Sequence, residues 1–111
     1  MPPVTRDISL VLDEDATVED IGDNVREALG QDADVVENVN ILSQTLYDEL
    51  PSGAIERLGM APRQKNLLVR IVLRALDRTL TGEECNAYRD AIYAALHKGS
   101  AWQWASKGMQ Q

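Results

Sequence analysis

Hydrophobic and polar residues alternate at the start of the chain, and the pattern then changes to a helical period. In residues 6–13 the isoleucine and both leucines fall on one side of an extended chain, which predicts a half-buried β-strand. Residues 18–29 carry apolar side chains at helical spacing, which predicts an amphipathic helix. Thr17 is a suitable N-cap with Asp20 three residues on, and Gly30 is a suitable end.

Three further segments have the composition of β-strands. Residues 36–47 predict a second strand, and residues 67–76, where apolar residues alternate with Arg70 and Arg74, predict the third. Residues 100–105 are short and aromatic, which predicts a fourth strand at a sheet edge. The long connection at residues 48–65 predicts one or two helical turns that carry apolar side chains to the domain edge.

A second long helix is predicted over residues 82–98. Thr81 and Glu84 have the spacing of a capping box, and Cys85 has the position that packs on the residue before the cap. His97 and Lys98 fall in the predicted last turn, where a cation interacts favourably with the helix dipole.

The predicted order of elements is β-α-β-β-α-β over one domain, residues 1–111. Right-handed crossovers place both helices on one face of a four-stranded antiparallel sheet. This is an α+β, ferredoxin-like sandwich with the third strand beside the first, a core of about residues 6–105 and an insertion of about residues 48–65. The other sheet face is predicted to stay open to solvent or to a partner.

Composition excludes several classes of protein. The 111 residues are 44% hydrophobic and 26% charged, which is globular rather than disordered. No apolar run approaches the ~20 residues of a membrane span, and residues 1–10 lack the basic and apolar pattern of a signal peptide, so we expect none. One cysteine and one histidine argue against a zinc cluster, so we expect no metal and no cofactor. A reducing cytoplasm is the simplest location.

The net charge of −7 argues against indiscriminate binding to nucleic acid, but this charge is unevenly distributed. Residues 1–50 hold two basic and 13 acidic side chains, a balance of −11, whereas residues 51–111 hold nine basic and five acidic, a balance of +4. A solvated acidic helix explains this polarity, and so does a gathering of basic side chains on one face.

Two segments resemble a known family. RDISLVLDED at residues 6–15 and RALDRTLTGEECNAYRDAIYAAL at residues 74–96 are similar to the ferredoxin-fold anticodon-binding domain, which ends the β chain of bacterial phenylalanyl-tRNA synthetase. The second segment carries the family's strand running into D-R-T-L-T-x-E-E-x-N, with Asn86 on the family's asparagine. The resemblance covers about residues 6–105 and implies binding to the anticodon region of a tRNA.

The open sheet face is the predicted RNA-binding surface, because arginine pairs phosphates and stacks on unpaired bases. Tryptophan offers a further stacking platform. The candidate residues are Arg70, Arg74, Arg6, Arg78, Lys65, Arg63, Trp102 and Trp104. Ion pairs of Asp7 and Asp77 with Arg74 and Arg78 are the alternative for the arginines, and sealing of the core or of a dimer interface is the alternative for the tryptophans.

No catalytic residue is predicted. Cys85 and His97 lie 12 residues apart on one predicted helix, roughly 18 Å along its axis, which is too far for a dyad. No phosphate-binding or dinucleotide glycine motif occurs. The carboxylates of residues 13–15 are explained by the dipole of the following helix. The chain alone is therefore not expected to catalyse ligation.

Two functions from different classes remain open. The first is a tRNA-binding module, with synthetase subunits as further possible partners. The second is a stand-alone interaction or small-ligand regulatory module that uses the open face, with self-association as one form of it; a membrane is not expected as a partner. The opening Met1 and the SKGMQQ tail favour a stand-alone protein, and an exposed cluster of Ile55, Leu58 and Met60 would indicate docking on a partner protein.

Overall fold

The computed structural model of this chain describes residues 2–100. Three strands and three α-helices alternate in this part of the chain, with short 3-10 turns at residues 30–35 and 47–49. The elements are β1 (Val4–Asp13), α1 (Val18–Leu29), β2 (Val36–Leu46), α2 (Ser52–Leu58), β3 (Gln64–Leu73) and α3 (Gly82–Leu96).

The strands form an antiparallel sheet in the order β1-β3-β2, so the third strand lies beside the first as predicted. Helices α1 and α3 cover one face of this sheet, which agrees with a ferredoxin-like α+β fold. The sheet has three strands in the described part of the chain, not the four predicted. The predicted fourth strand, residues 100–105, lies outside the described residues except for Ser100, which is not in a strand.

The main core lies between the sheet and the two long helices. Apolar side chains alternate along β1 and β3, and partners such as Ile8 and Val69 stand directly opposite each other. The helices contribute apolar stripes at helical spacing. Buried members of this cluster include Ile8, Leu10, Leu12, Ile21, Val25, Leu67, Val69, Ile71, Leu73, Cys85, Ile92 and Leu96.

The capping box predicted for α3 and the N-cap predicted for α1 are confirmed, and the α1 cap is also a complete capping box. The Thr17 hydroxyl accepts the backbone N–H of Asp20 at 3.1 Å, and the Asp20 carboxylate accepts the N–H of Thr17 at 3.1 Å. The Thr81 hydroxyl and the Glu84 carboxylate make the same reciprocal pair at 3.0 Å each. These bonds satisfy backbone donors that an uncapped helix leaves without partners, and so fix where α1 and α3 begin.

The predicted bounds of the third strand were wrong. Residues 67–76 were predicted, but β3 begins at Gln64, after a turn in which Arg63 has a left-handed φ of 69°, and ends at Leu73. The first three residues of β3, Gln64 to Asn66, are polar, so the hydrophobic pattern did not indicate that they belong to the strand. Lys65 among them is only 7% exposed, because its stem lies on the helix side and its ammonium donates to the Ala16 carbonyl at 2.8 Å.

The face opposite the long helices is partly covered, which corrects the prediction of a wholly open face. Val11 points to this side of β1, yet it is fully buried against Leu58 and Met60. Helix α2 therefore closes one end of the face instead of lying at the domain edge. Leu58 and Met60 are 7% and 8% exposed, so the exposed docking cluster considered from the sequence is also wrong.

The end of α3 is also placed differently from the prediction. The helix ends at Leu96, and His97 is a buried C-cap whose ring stacks on Tyr93 with centroids 4.5 Å apart. Its Nδ1 accepts the backbone N–H of Val11 at 3.1 Å, and the next residue, Lys98, donates its N–H to the Val11 carbonyl at 2.7 Å. His97 thus ties the chain after α3 to the outer edge of β1 and is not an exposed dipole partner.

Candidate functional site

The side of the sheet opposite α1 and α3 has four cross-strand rows of three residues, which we call the open face, and α2 covers its Val11 end. Residues directly opposite each other in an antiparallel sheet point to the same side, so the strand register defines its members. The rows, each in the order β1-β3-β2, are Thr5-Val72-Asn38, Asp7-Arg70-Asn40, Ser9-Leu68-Ser43 and Val11-Asn66-Thr45.

Arg70 occupies the middle strand of the open face and is paired with the residue beside it. Its Nε and Nη2 donate to the two carboxylate oxygens of Asp7 at 2.8 and 3.0 Å. The hydrogen bond from Arg70 lowers the pKa of Asp7, and the same bond raises the pKa of Arg70. Both side chains are over 40% exposed, so this fork-shaped pair faces solvent.

Arg74 follows β3 at the edge of the open face and faces a different acidic residue. Its Nε lies 3.5 Å from a carboxylate oxygen of Glu37, an ion pair without hydrogen-bond geometry. Its backbone N–H donates to the Val35 carbonyl at 2.8 Å. The predicted alternative, an ion pair between Asp7 and Arg74, was therefore wrong. Asp7 pairs with Arg70, and Arg74 pairs with Glu37.

Two other candidate arginines lie away from the open face, contrary to prediction. Arg6 stands opposite Ile71 on the helix side of the sheet, and its Nε donates to the Asn86 side chain at 3.0 Å. Arg78 lies in the loop before α3 and makes two 2.6 Å hydrogen bonds to the Glu84 carboxylate. Glu84, and not Asp77, is thus its partner, and Arg78 lowers the pKa of Glu84 to about 2.

The candidates before the third strand are separated from each other. Lys65 belongs to β3 and points to the helix side, where its ammonium donates a hydrogen bond to the Ala16 carbonyl. It therefore cannot extend the open face. Arg63 is exposed at the turn and lines a shallow depression with residues 13–15, all three of which are acidic. Trp102 and Trp104 lie outside the described residues.

The remaining chemistry of the described chain is sparse. Cys85 is a free, fully buried thiol in the main core. Within residues 2–100 no group of three metal-ligating side chains comes together. No helix in that same range is long and apolar enough to cross a membrane. The candidate site is therefore a surface and not a cavity.

Sequence reasoning missed the polar, uncharged part of the open face. Asn38 and Asn40 from β2 line up with Val72 and Arg70, and Asn66 donates from its amide to the Ser9 hydroxyl at 2.9 Å. The signal lay in the spacing of the β2 asparagines, two residues apart on a strand. Amides of this kind can donate and accept hydrogen bonds at the same time.

The comparison with known families identifies the fold's relatives. A family model described as the ferredoxin-fold anticodon binding domain matches residues 1–103. The chain belongs to this family. The resemblance predicted from the two sequence segments is thereby confirmed over nearly the whole length.

Relatives of this anticodon-binding domain are β subunits of phenylalanine–tRNA ligase. The chain is 33% identical to the subunit of Symbiobacterium thermophilum over 95 residues, which is 86% of this chain and 9% of that subunit. It is 32% identical to the Thermobifida fusca subunit over 94 residues, 85% and 10% of the two chains. The Synechococcus sp. subunit is 33% identical over 97 residues, 87% and 10%. The chain spans about a tenth of the length of these curated relatives.

The motif that revealed the family has a structural role in this domain. Thr81 and Glu84 cap α3, Arg78 is locked onto Glu84, and Asn86 accepts a hydrogen bond from Arg6 of β1. These contacts fix the start of α3 against the sheet. The residues of the motif therefore have intramolecular partners that stabilise the domain.

Proposed function

We propose that this chain is a non-catalytic tRNA-binding module that contacts the anticodon region of a tRNA through the open face. The observation that carries the proposal is its membership of the ferredoxin-fold anticodon binding domain family over residues 1–103. The named relatives are β subunits of phenylalanine–tRNA ligase, so a tRNA for phenylalanine is the first ligand to test.

The chemistry of the open face supports this function. It presents an arginine, three asparagines and several hydroxyls on a rigid sheet, which suits unpaired bases of an RNA loop. Of the eight residues first considered, Arg70 and Arg74 are the described ones that lie on or beside this face. We therefore assign RNA contact to these two, and remove Arg6, Arg78 and Lys65 from the proposed surface.

The distribution of acidic residues supports one orientation of the RNA. Exposed carboxylates on α1 lie on the side of the sheet away from the open face, and they are Glu19, Asp20, Asp23 and Glu27. RNA phosphates are repelled by such a surface. The open face is then the side turned toward the tRNA, and α1 is the side turned away.

The experiment is a titration of the 111-residue chain with a tRNA for phenylalanine and with an unrelated tRNA, followed by fluorescence anisotropy. The matched variants are Arg70→Gln on the open face and Arg26→Gln on α1, which remove the same charge from opposite sides of the sheet. Loss of a base-contacting arginine costs ~1–3 kcal/mol, so we expect Arg70→Gln to weaken binding at least fivefold. Arg26→Gln leaves the affinity unchanged.

Failure of the unsubstituted chain to bind any tRNA at low salt would contradict this function. Sedimentation of the same samples then tests the second function considered from the sequence. A concentration-dependent dimer without tRNA binding would favour a self-associating module over an RNA-binding one. Equal loss of affinity in both variants would show that total charge, and not the open face, drives the contact.

A further inference from the structure

The residues that follow α3, residues 97–100, connect the end of this helix to β1, and we call them the strap. The Val11 N–H donates to Nδ1 of His97 at 3.1 Å, and the Lys98 N–H donates to the Val11 carbonyl at 2.7 Å. These two bonds satisfy the backbone groups of Val11 on the side of β1 that no strand pairs with in the described part of the chain. At this position the strap therefore takes the place of a neighbouring strand.

The far end of the strap packs closely against the end of α2. The N–H and the hydroxyl of Ser100 both donate to the Gly59 carbonyl, at 3.0 and 3.3 Å. Gly99 passes so near to α2 that a Cβ atom there would collide with the Leu58 carbonyl oxygen and would stand 2.7 Å from Nε2 of His97. Because α2 covers one end of the open face, the strap helps to hold that cover in place.

The bond from the Val11 N–H requires the neutral form of His97. A ring nitrogen accepts a hydrogen bond only while it carries no proton, so the hydrogen of this ring lies on Nε2. A proton added at Nδ1 would set two donors against each other, and the ring is only 5% exposed. A buried charge without a partner is costly. A proton on Nδ1 and a closed strap therefore exclude each other.

The titration of this histidine is separated in pH from that of its neighbours. The titratable or charged groups on the elements around the ring are Tyr93 of α3, Asp13 of β1, Lys98 of the strap, and the exposed Glu56 and Arg57 of α2. Tyr93 stacks on the ring, and Lys98 is bonded to Asp13 at 2.7 Å. Carboxyl groups ordinarily titrate near pH 4 and phenols and ammonium groups near pH 10, so the imidazole is the type of group among them whose charge changes between about pH 7 and 5.

From this geometry we infer that the strap is a pH-sensitive switch, in which protonation of His97 releases residues 97–100 from β1 and α2. A proton is bound as the strap opens, so opening becomes more favourable as the pH falls below about 6.5, where a solvated histidine titrates. Release of the strap removes a support of α2 and exposes the apolar cluster of Val11, Leu58 and Met60 at one end of the open face. This inference does not depend on RNA binding.

The test is amide hydrogen exchange of the 111-residue chain, measured by NMR between about pH 7 and 5 and expressed as protection factors, which remove the intrinsic effect of pH on exchange. The probes are the amides of Val11, Lys98 and Ser100, and the Ile71 amide of the middle strand is the reference. Uptake of one proton changes the opening equilibrium by up to about tenfold per pH unit. We expect the protection of the probes to fall about tenfold or more, with Ile71 better protected throughout.

Two variants separate the histidine from the strap. His97→Gln removes the titrating ring, so the protection of the probes is expected to be independent of pH over the same range. Gly99→Ala is expected to open the strap at neutral pH, because its Cβ would collide with the Leu58 carbonyl, and to lower the protection of the probes about tenfold or more. The matched control is Gly53→Ala on α2, where a Cβ meets no atom within 4 Å and protection stays unchanged.

Two outcomes of the exchange measurement would overturn the inference. An equal fall in protection in His97→Gln would assign the pH dependence to another group. Equal protection of the probes and of Ile71 at every pH would show that the strap opens only when the whole domain unfolds. If His97→Gln does not fold, the ring resonances of the single histidine give the answer in the unsubstituted chain, and a ring that titrates without loss of protection contradicts the switch.

Discussion

The two faces of β3 use a cation in opposite ways. On the helix side, Lys65 is buried and its ammonium donates to a backbone carbonyl in the loop before α1. On the open face, five residues later, Arg70 is exposed and bonded to a carboxylate on the neighbouring strand. The first cation fastens a loop onto the core, and the second leaves donors directed at solvent. Charge along the sequence is therefore a poor guide to a binding surface until the strand register is known.

The largest expected difference between the faces concerns stability. Ile71 is 1% exposed on the helix side, and Val72 beside it belongs to the open face. We expect Ile71→Ala to lower the free energy of unfolding by about 3–5 kcal/mol, since it leaves a cavity in the main core. Val72→Ala is expected to cost much less. Urea unfolding with an unchanged slope measures both, and equal losses would contradict the distinction between the faces.

The end of the open face beneath α2 should behave like core. Leu58 is 7% exposed and packs with Val11 and Met60. Leu58→Ala is expected to cost about 2–3 kcal/mol, toward the lower end for a buried leucine because this cluster is small. Exposed Arg57 on the same helix supplies the control Arg57→Ala. A negligible loss in Leu58→Ala would mean that α2 does not hold its place on the sheet.

A smaller effect is expected in the pH dependence of stability, and it comes from the connection between β3 and α3. Arg78, and then the Thr81 amide, lower the pKa of Glu84 from its ordinary 4.5 to about 2. A lowered carboxyl pKa stabilises the fold above the ordinary value, and that contribution is lost as pH falls between about 5 and 2. The denaturation midpoint of the unsubstituted chain should therefore exceed that of Glu84→Gln at neutral pH and converge with it in acid. A constant gap across that range would argue against an ionised, paired Glu84.

The smallest expected effect is on the stability of Asp7→Asn. The Asp7–Arg70 pair is exposed and screened by solvent, and such pairs add little to folding. The denaturation midpoint is thus expected to stay nearly unchanged. A large loss of stability would show that the pair stabilises the fold, as the buried side chains on the helix side of β3 do.

Much of the fold could be predicted from local patterns. The bounds of α1, its N-cap Thr17, the capping box of α3 and the strand order follow from periodicity, cap chemistry and crossover handedness. The start of β3 could not, because a lysine with an apolar stem reads as polar while its side chain is buried. The position of α2 depends on Val11, which local alternation placed on a solvated face.

Less of the candidate site could be predicted. Arg70 follows from its place in an alternating strand, and it lies on the expected side. Arg6 lies with Ile8 on the helix side, as strand alternation requires, and its partner Asn86 is 80 residues away, so no local pattern indicates that contact. The ion partner of Arg74, Glu37, also lies on a distant segment, whereas Glu84 lies only six residues after Arg78.

The irregular edge of β2 has a consequence for association between copies of the chain. No strand pairs with the outer side of β2 in the described part of the chain, and an unpaired edge is a template for aggregation. The register of β2 against β3 shifts between Val36 and Asn38 and again between Ile41 and Ser43. Two such bulges interrupt the even spacing that a second edge would have to match. The bulges thereby disfavour edge-to-edge pairing of β2, the strand that carries Asn38 and Asn40, with another copy of the chain.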